Sequence, residues 1–161
     1  MPIPATNNRP CAPKPADDST SLLPVWRRIH QAMLLRLSSH GLPFTVASAL
    51  LCLHTSSDDA EPARLADQLL LPRQTMTFVL DALERAKLAH RKPHPVDRRR
   101  KIVVLTPKGV QKARTILADL RRYESDASQA TFSPQGARAF RDSVTQLADV
   151  LERLNQPEPH R

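Results

Sequence analysis

The sequence predicts a mainly α fold with one small β-hairpin. Three observations predict it: prolines that open stretches of helical apolar spacing, one β-branched run framed by polar turns, and a basic charge gathered around that run. At 161 residues and 40% apolar composition the chain holds about one domain's worth of core. It has no 18-residue apolar window of the kind a membrane span needs. The start of the chain, with Pro2, Pro4, Pro10, Pro13 and Pro15, lacks the apolar stretch of a secretory signal. Cys11 and Cys52 are too few for a disulfide framework, so a reducing, cytoplasmic setting is expected. Four Phe, one Trp and one Tyr leave little for a base-stacking platform.

Residues 1–20 read as a disordered arm and 156–161 as a tail, because neither offers a periodic apolar face to bury. Between them, Pro24, Pro43, Pro62, Pro72, Pro107 and Pro134 mark six helix starts, since proline lacks only an N–H that the first turn leaves unpaired. The first helix, about 22–38, carries Leu22, Trp26, Ile29, Met33 and Leu37. The second, about 43–55, is apolar nearly all round and reads as buried. A short third helix, about 62–69, precedes a fourth, about 72–86. The fourth packs Met76, Leu80 and Leu83 and turns Arg73, Gln74, Thr77, Phe78, Asp81 and Arg85 outward. Leu88–Pro93 and Lys101–Leu105 then read as strands joined by a polar loop over 94–100. Thr106 and Ser133 stand as N-caps before the last two helices, about 107–129 and 134–155. The sixth shows Ala137, Phe140, Val144, Leu147, Leu151 and Leu154 in a three–four heptad that seeks a partner helix.

Charge singles out one segment. Of the 24 Lys and Arg residues ten fall between Arg85 and Lys112, with Asp97 the one acid among them. That stretch carries +9, and the remainder, 14 basic against 15 acidic residues, carries −1. A local excess of this size suits a polyanion, nucleic acid ahead of acidic lipid. The sequence also places it well. A short helix, a tight turn, a helix with a polar outer face and a hairpin with a basic tip make a winged helix-turn-helix. A helix fits the major groove of double-stranded DNA, and an arginine-bearing loop fits the adjacent minor groove.

The residues Leu65-Ala66-x-x-Leu69, Thr75-x-Thr77-x-x-Leu80-Asp81-x-Leu83-Glu84, Leu88, Asp97-Arg98-Arg99-Arg100 and Val104-Leu105-Thr106-x-x-Gly109 resemble the MarR family of bacterial transcriptional regulators. The likeness runs from about residue 22 to 154, and the Asp-Arg-Arg wing followed by Leu-Thr-x-x-Gly is its most specific part. The resemblance implies one MarR-like domain over 21–155. Its winged helix-turn-helix would span about 43–106, and its dimerisation helices about 22–38 and 107–155. It further implies a homodimer on a palindromic operator, with DNA binding weakened by a small phenolic or aromatic acid or by an oxidant.

 The implied activity is therefore repression of transcription, lifted when such an effector binds.

Carried over position by position, Arg73, Gln74, Thr75, Thr77 and Phe78 fall on the DNA-facing start of the recognition helix. Arg98, Arg99 and Arg100 fall at the wing, with Asp97 expected to orient one guanidinium by a bidentate pair. In this family the effector pocket lies between such helices and the winged domain, which makes Trp26, His30, Arg36 and His54 its candidates here. Leu70 and Lys87 stand where the family often has glycine; Lys87 must either accept mild strain or end its helix differently. Lys108 and Lys112 are open between phosphate contact and mere solubility. Cys52 sits among leucines and is expected to be buried and inert. His90 and His94 lack further ligands, so no metal or other cofactor is expected. Nothing in the sequence carries the signature of an enzyme: there is no glycine-rich phosphate loop and no nucleophile motif. The alternative to DNA binding is a protein-interaction module whose basic face meets an acidic partner.

Overall fold

Apolar residues at helical spacing build most of the molecule, and a β-branched run builds its one sheet. The structure is a computed structural model that describes residues 21–56, 60–97 and 99–155. Six helices and two strands occur among these residues. They are α1 (Leu23–Ser38), α2 (Phe44–Thr55), α3 (Pro62–Gln68), α4 (Arg73–Arg85), β1 (Ala89–Pro93), β2 (Lys101–Leu105), α5 (Pro107–Thr131) and α6 (Pro134–Leu154). The mainly α fold with a small β-wing is therefore as the sequence predicts. The arm over 1–20, with Cys11, the tail over 156–161 and the wing residue Arg98 lie outside the described residues.

Backbone packing divides the chain into a unit ending at Leu35 and a second running from Arg36 to Arg161. The described part of the first is the greater part of α1. The second holds the core. There α2 buries Val46, Ala47, Ala49, Leu50 and Leu53, and α4 sets Met76, Val79, Leu80 and Leu83 inward. Leu65 and Ala66 from α3, Ile102 and Val103 from β2, and Ala113 and Ile116 from α5 complete it. Each buried Leu, Ile, Val or Met removes apolar surface worth about 1.5–3 kcal/mol from water. This cluster therefore fixes how α4 and the hairpin stand to each other.

Helix starts follow two patterns. Pro62, Pro107 and Pro134 occupy the first helical turn, as expected. Pro43 and Pro72 instead sit at the N-cap, where each carbonyl accepts the first helical bond, from Ala47 and Met76 at 2.9 and 3.0 Å. Both placements work for the same reason: neither asks the ring for an N–H. Thr106 and Ser133 cap as predicted, their hydroxyls accepting from the backbone N–H of Gly109 at 3.0 Å and Gly136 at 3.2 Å.

The hairpin is antiparallel, with Ala89 opposite Leu105 and Pro93 opposite Lys101. Ala60 adds one bridge on its far side, its carbonyl accepting from the Val103 N–H at 2.9 Å. Gly109 explains the Leu-Thr-x-x-Gly motif. A Cβ there would stand 1.9 Å from the Leu88 carbonyl oxygen, so only glycine lets the first turn of α5 lie against the strand entry.

Both turns flanking α4 are left-handed without glycine. Leu70 has φ of 51° and Lys87 has φ of 58°. Each closes a Schellman motif. After α3 the N–H of Leu70 donates to Asp67 and that of Leu71 to Ala66; after α4 that of Lys87 donates to Glu84 and that of Leu88 to Leu83. Lys87 thus accepts the strain, and the turn keeps the shape that glycine would give it.

Candidate nucleic-acid interface

The recognition helix follows from its own periodicity. Burial of Met76, Val79, Leu80 and Leu83 on one side leaves Arg73, Gln74, Thr77 and Phe78 exposed on the other, with Phe78 63% exposed. Thr75 is half-buried beside Met76 in sequence and presents less of itself to solvent than its neighbours. The Thr77 hydroxyl donates to the Arg73 carbonyl at 3.2 Å, which leaves its oxygen able to accept. A large apolar ring exposed among polar side chains is unusual on a surface helix and suits contact with a thymine methyl.

Two ion-pair links tie the hairpin to the helices, and sequence reasoning missed both. The first is Arg91 on β1. Its guanidinium donates to Asp81 at 2.5 Å and to the Thr77 carbonyl at 3.2 Å, and it lies 3.4 Å from Glu84. Its backbone N–H donates to the same Glu84 at 2.7 Å. Asp81 and Glu84, three apart on one helix face, would otherwise leave two like charges side by side against the hairpin. The signal was present in the sequence as that acid pair followed by an arginine on the next strand.

The second link lies at the wing. Arg100 was expected to face DNA, yet its guanidinium is bonded to the carboxylate of Glu61, just before α3. That bond is the main cause holding the Glu61 carboxyl below its ordinary value, and it raises Arg100 in turn. Asp97 was expected to orient a guanidinium. Its carboxylate instead accepts from the Arg99 backbone N–H at 3.0 Å, while its carbonyl accepts from the Arg100 N–H at 3.0 Å. Asp97 therefore shapes the loop backbone, helped by His94 Nδ1, which accepts from the N–H groups of Val96 and Asp97 at 3.2 Å. The physical reason is reach: an aspartate bonds its own turn two residues on more readily than a flexible side chain. Arg99 stays exposed at the tip.

Lys108 has a partner within the protein. Its ammonium donates to the Ala86 carbonyl at 3.0 Å, at the C-terminal end of α4, where the helix dipole favours a cation. The Thr106 hydroxyl donates to the Lys87 carbonyl at 2.8 Å, so the recognition helix is fastened to the start of α5 as well.

Of the four effector candidates, two lie in the first unit and two in the second. Trp26 and His30, one turn apart on α1, are exposed and belong to the first unit. Arg36 is committed elsewhere: it is bonded to Asp119 of α5 and lies over the Tyr123 ring at 5.3 Å. His40 Nε2 stands 3.0 Å from the other Asp119 oxygen. The Arg36 bond, then the His40 bond, hold the Asp119 carboxyl below its ordinary value. His54 is half-buried in the last turn of α2. Cys52, expected to be buried, is half-buried, and its thiol donates to Gln68 Oε1 at 3.2 Å. It sits on the flank of α2 toward α3, a direction that a nearly all-apolar helix does not reveal. No group of three or more potential metal ligands occurs among the described residues. No helix among them is long and apolar enough to cross a membrane.

A helix with a polar exposed face, set by a buried core beside a basic two-stranded wing, defines the winged helix-turn-helix class of DNA-binding proteins. Residues 40–100 match the MarR family model. The chain is 33% identical over 95 residues to the HTH-type transcriptional regulator MhqR of Bacillus subtilis, a match covering 58% of this chain and 64% of that protein. The chain thus spans less than two thirds of that curated relative. Among solved structures, the S. aureus MepR–DNA complex is 20% identical, with a TM-score of 0.68 over 81% of this chain and 98% of that one. The PcaV regulator of Streptomyces coelicolor, in complex with its natural ligand, is 22% identical, with a TM-score of 0.65 over 84% and 97%. Both likenesses extend the shared fold beyond the winged segment.

Proposed function

We propose that the chain is a homodimeric transcriptional repressor that binds a palindromic operator and leaves it when a small aromatic or phenolic acid binds. The observation that carries this reading is the doubly fastened reading head. Arg91 locks the hairpin to α4, Glu61 locks Arg100 to α3, and what remains free to reach DNA is the exposed face of α4 and the tip at Arg99. A rigid head suits base reading, because ordering it costs nothing further on binding. In this reading Arg73, Gln74, Thr77 and Phe78 meet the major groove, with Thr75 at its edge, and Arg99 with Arg98 enters the minor groove. Arg100 and Asp97 set the shape of the wing.

Support for a dimer comes from α6, whose Phe140, Val144, Leu147, Leu151 and Leu154 are 40–76% exposed along one stripe. Among relatives, the MepR structure is a complex with DNA and the PcaV structure holds a ligand, which favours the same two activities here. The chemistry present is recognition rather than catalysis, and the working compartment is the one that holds the operator, the cytoplasm.

The test is a gel shift on DNA flanking the chain's own gene, repeated from 50 to 200 mM salt and with competitor DNA. A protein holding six or more phosphates loses roughly 10³-fold or more in affinity over that range and keeps its preference for one inverted repeat. Flat salt dependence, or equal binding to any DNA, would overturn the reading. Capture of acidic proteins with no operator preference would favour the interaction-module alternative.

A further inference from the structure

The exposed face of α4 carries one residue that phosphate contact does not explain. Phe78 is the one exposed large apolar side chain of that helix, at 63% exposure. No ring contact is seen for it among the described residues. Its neighbours on the face are polar: Gln74 one turn before it, Thr77 beside it and Asp81 one turn after it. Two contacts of Arg91 prepare the spot. The guanidinium neutralises Asp81 at 2.5 Å, so no uncompensated carboxylate stands one turn from the ring. It also donates to the Thr77 carbonyl at 3.2 Å, which holds the backbone beside Phe78 to the hairpin. A ring on a fixed backbone has only two bonds to order, so seating it against a partner costs little entropy.

We propose that Phe78 reads the 5-methyl group of a pyrimidine in the major groove, and that Gln74 reads an adenine about two base pairs away. The assignment rests on the DNA-binding reading and names the bases that reading leaves open. The methyl of thymine is the apolar group among the base edges of that groove. A phenyl ring matches it and offers no hydrogen bond that another edge could take. Gln is a residue type whose amide pairs with adenine N6 and N7 as acceptor and donor together. Gln74 and Phe78 are four residues apart, and four residues of helix rise about 6 Å. Bases stack about 3.4 Å apart along a strand, so the two contacts fall about two base pairs from each other. Phe78 touches the methyl and not the atoms that distinguish thymine from cytosine. The preference at that position is therefore for a methyl group rather than for a base, and 5-methylcytosine satisfies it as thymine does.

The experiment uses the full chain to select its preferred duplex from a random-sequence library. That duplex is then remade with deoxyuridine in place of each thymine in turn. Deoxyuridine keeps every hydrogen bond of thymine and lacks only the methyl. A sensitive thymine should appear in each half-site, with affinity falling roughly 3–5-fold for each methyl removed. Phe78→Ala should weaken the thymine duplex at least as much and bind the thymine and deoxyuridine duplexes equally. Phe78→Leu, which keeps an apolar side chain, should retain most of the preference. With a C·G pair at the sensitive position, 5-methylcytosine should bind roughly 3–5-fold tighter than cytosine to the parent chain, and no tighter to Phe78→Ala. Gln74→Ala should relax the choice of adenine about two pairs away. Phe78 and Gln74 are exposed, so circular dichroism should be the same for all these variants. A duplex indifferent to every deoxyuridine, or a methyl preference that Phe78→Ala keeps in full, would overturn the role of the ring. An adenine preference unchanged in Gln74→Ala would overturn the pairing with Gln74. Failure of the DNA-binding reading looks different: no duplex is enriched at all, and both readings fall together, whereas an enriched duplex without methyl dependence removes the methyl reading alone.

Discussion

Replacing Leu70 by glycine should stabilise the protein, although leucine is the larger and more apolar residue. Leu70 holds φ at 51° and is 91% exposed, so its side chain contributes almost no burial. Holding a non-glycine residue in that left-handed region costs about 1–2 kcal/mol. Glycine removes the strain but brings about 0.5–1 kcal/mol of extra unfolded-state entropy. The net gain is about 0.5–1 kcal/mol. For a chain of this size that raises the midpoint by about 1–4 °C. The bonds from Leu70 to Asp67 and from Leu71 to Ala66 use backbone N–H groups and survive the change. Leu70→Ala is the control: it trims the side chain and keeps the strain, so its stability should stay within about 0.5 kcal/mol of the parent. Urea unfolding of all three at one protein concentration, followed by far-UV circular dichroism, measures the difference. A Leu70→Gly protein no more stable than Leu70→Ala would refute the claim that backbone strain sits at this turn.

Three more outcomes follow from the same contacts. Arg99→Ala should weaken operator binding by about 1–3 kcal/mol with an unchanged circular dichroism spectrum, because the side chain is exposed at the wing tip; equal affinity in a gel shift removes the tip from recognition. The Asp119 carboxyl lies below its ordinary value, chiefly through its bond with Arg36, so its stabilisation is full above the unfolded carboxylate pKa and is lost as pH falls through the lower folded value. Asp119→Asn should therefore flatten that part of the acid-unfolding curve, and an unchanged curve would count against the Arg36 pairing. Leu147→Asp with Leu151→Asp charges the exposed stripe of α6 and should yield monomer or aggregate by light scattering and abolish specific binding; a wild-type protein that is a clean monomer and still binds one half-site tightly would end the dimer reading.

Elements whose cause is local were legible in the sequence. Thr106 and Ser133 cap the helices they precede, Ile102–Leu105 forms the strand its β-branching predicts, and the outward face of α4 follows from its apolar period. The links between elements were not. Glu61 and Arg100 are 39 residues apart, Arg36 and Asp119 are 83, and Lys108 and Ala86 are 22; no local rule pairs them. The same limit explains Cys52. Its neighbours Leu50 and Leu53 are buried, but a step of one residue turns a helix by about 100°, and on a helix apolar nearly all round composition does not say which flank meets Gln68.

These unpredicted links also account for where the chain's positive charge ends up. Of the basic cluster, Arg91 and Arg100 neutralise acids of the helix-turn-helix, and Lys108 caps α4. They spend their charge on geometry. A count of +9 over the segment therefore overstates the charge left exposed, and in the proposed reading Arg99 at the tip and Arg73 at the start of α4 carry more of the phosphate contact than the count suggests. The acids they neutralise sit on α4 and just before α3. Removing a link would uncover a negative charge there as well as free a strand or a loop, so the two losses act in the same direction. Ion pairs that are half-exposed contribute little to stability by themselves. Their value here lies in holding α4 and the wing tip at one fixed spacing, the property on which groove recognition depends.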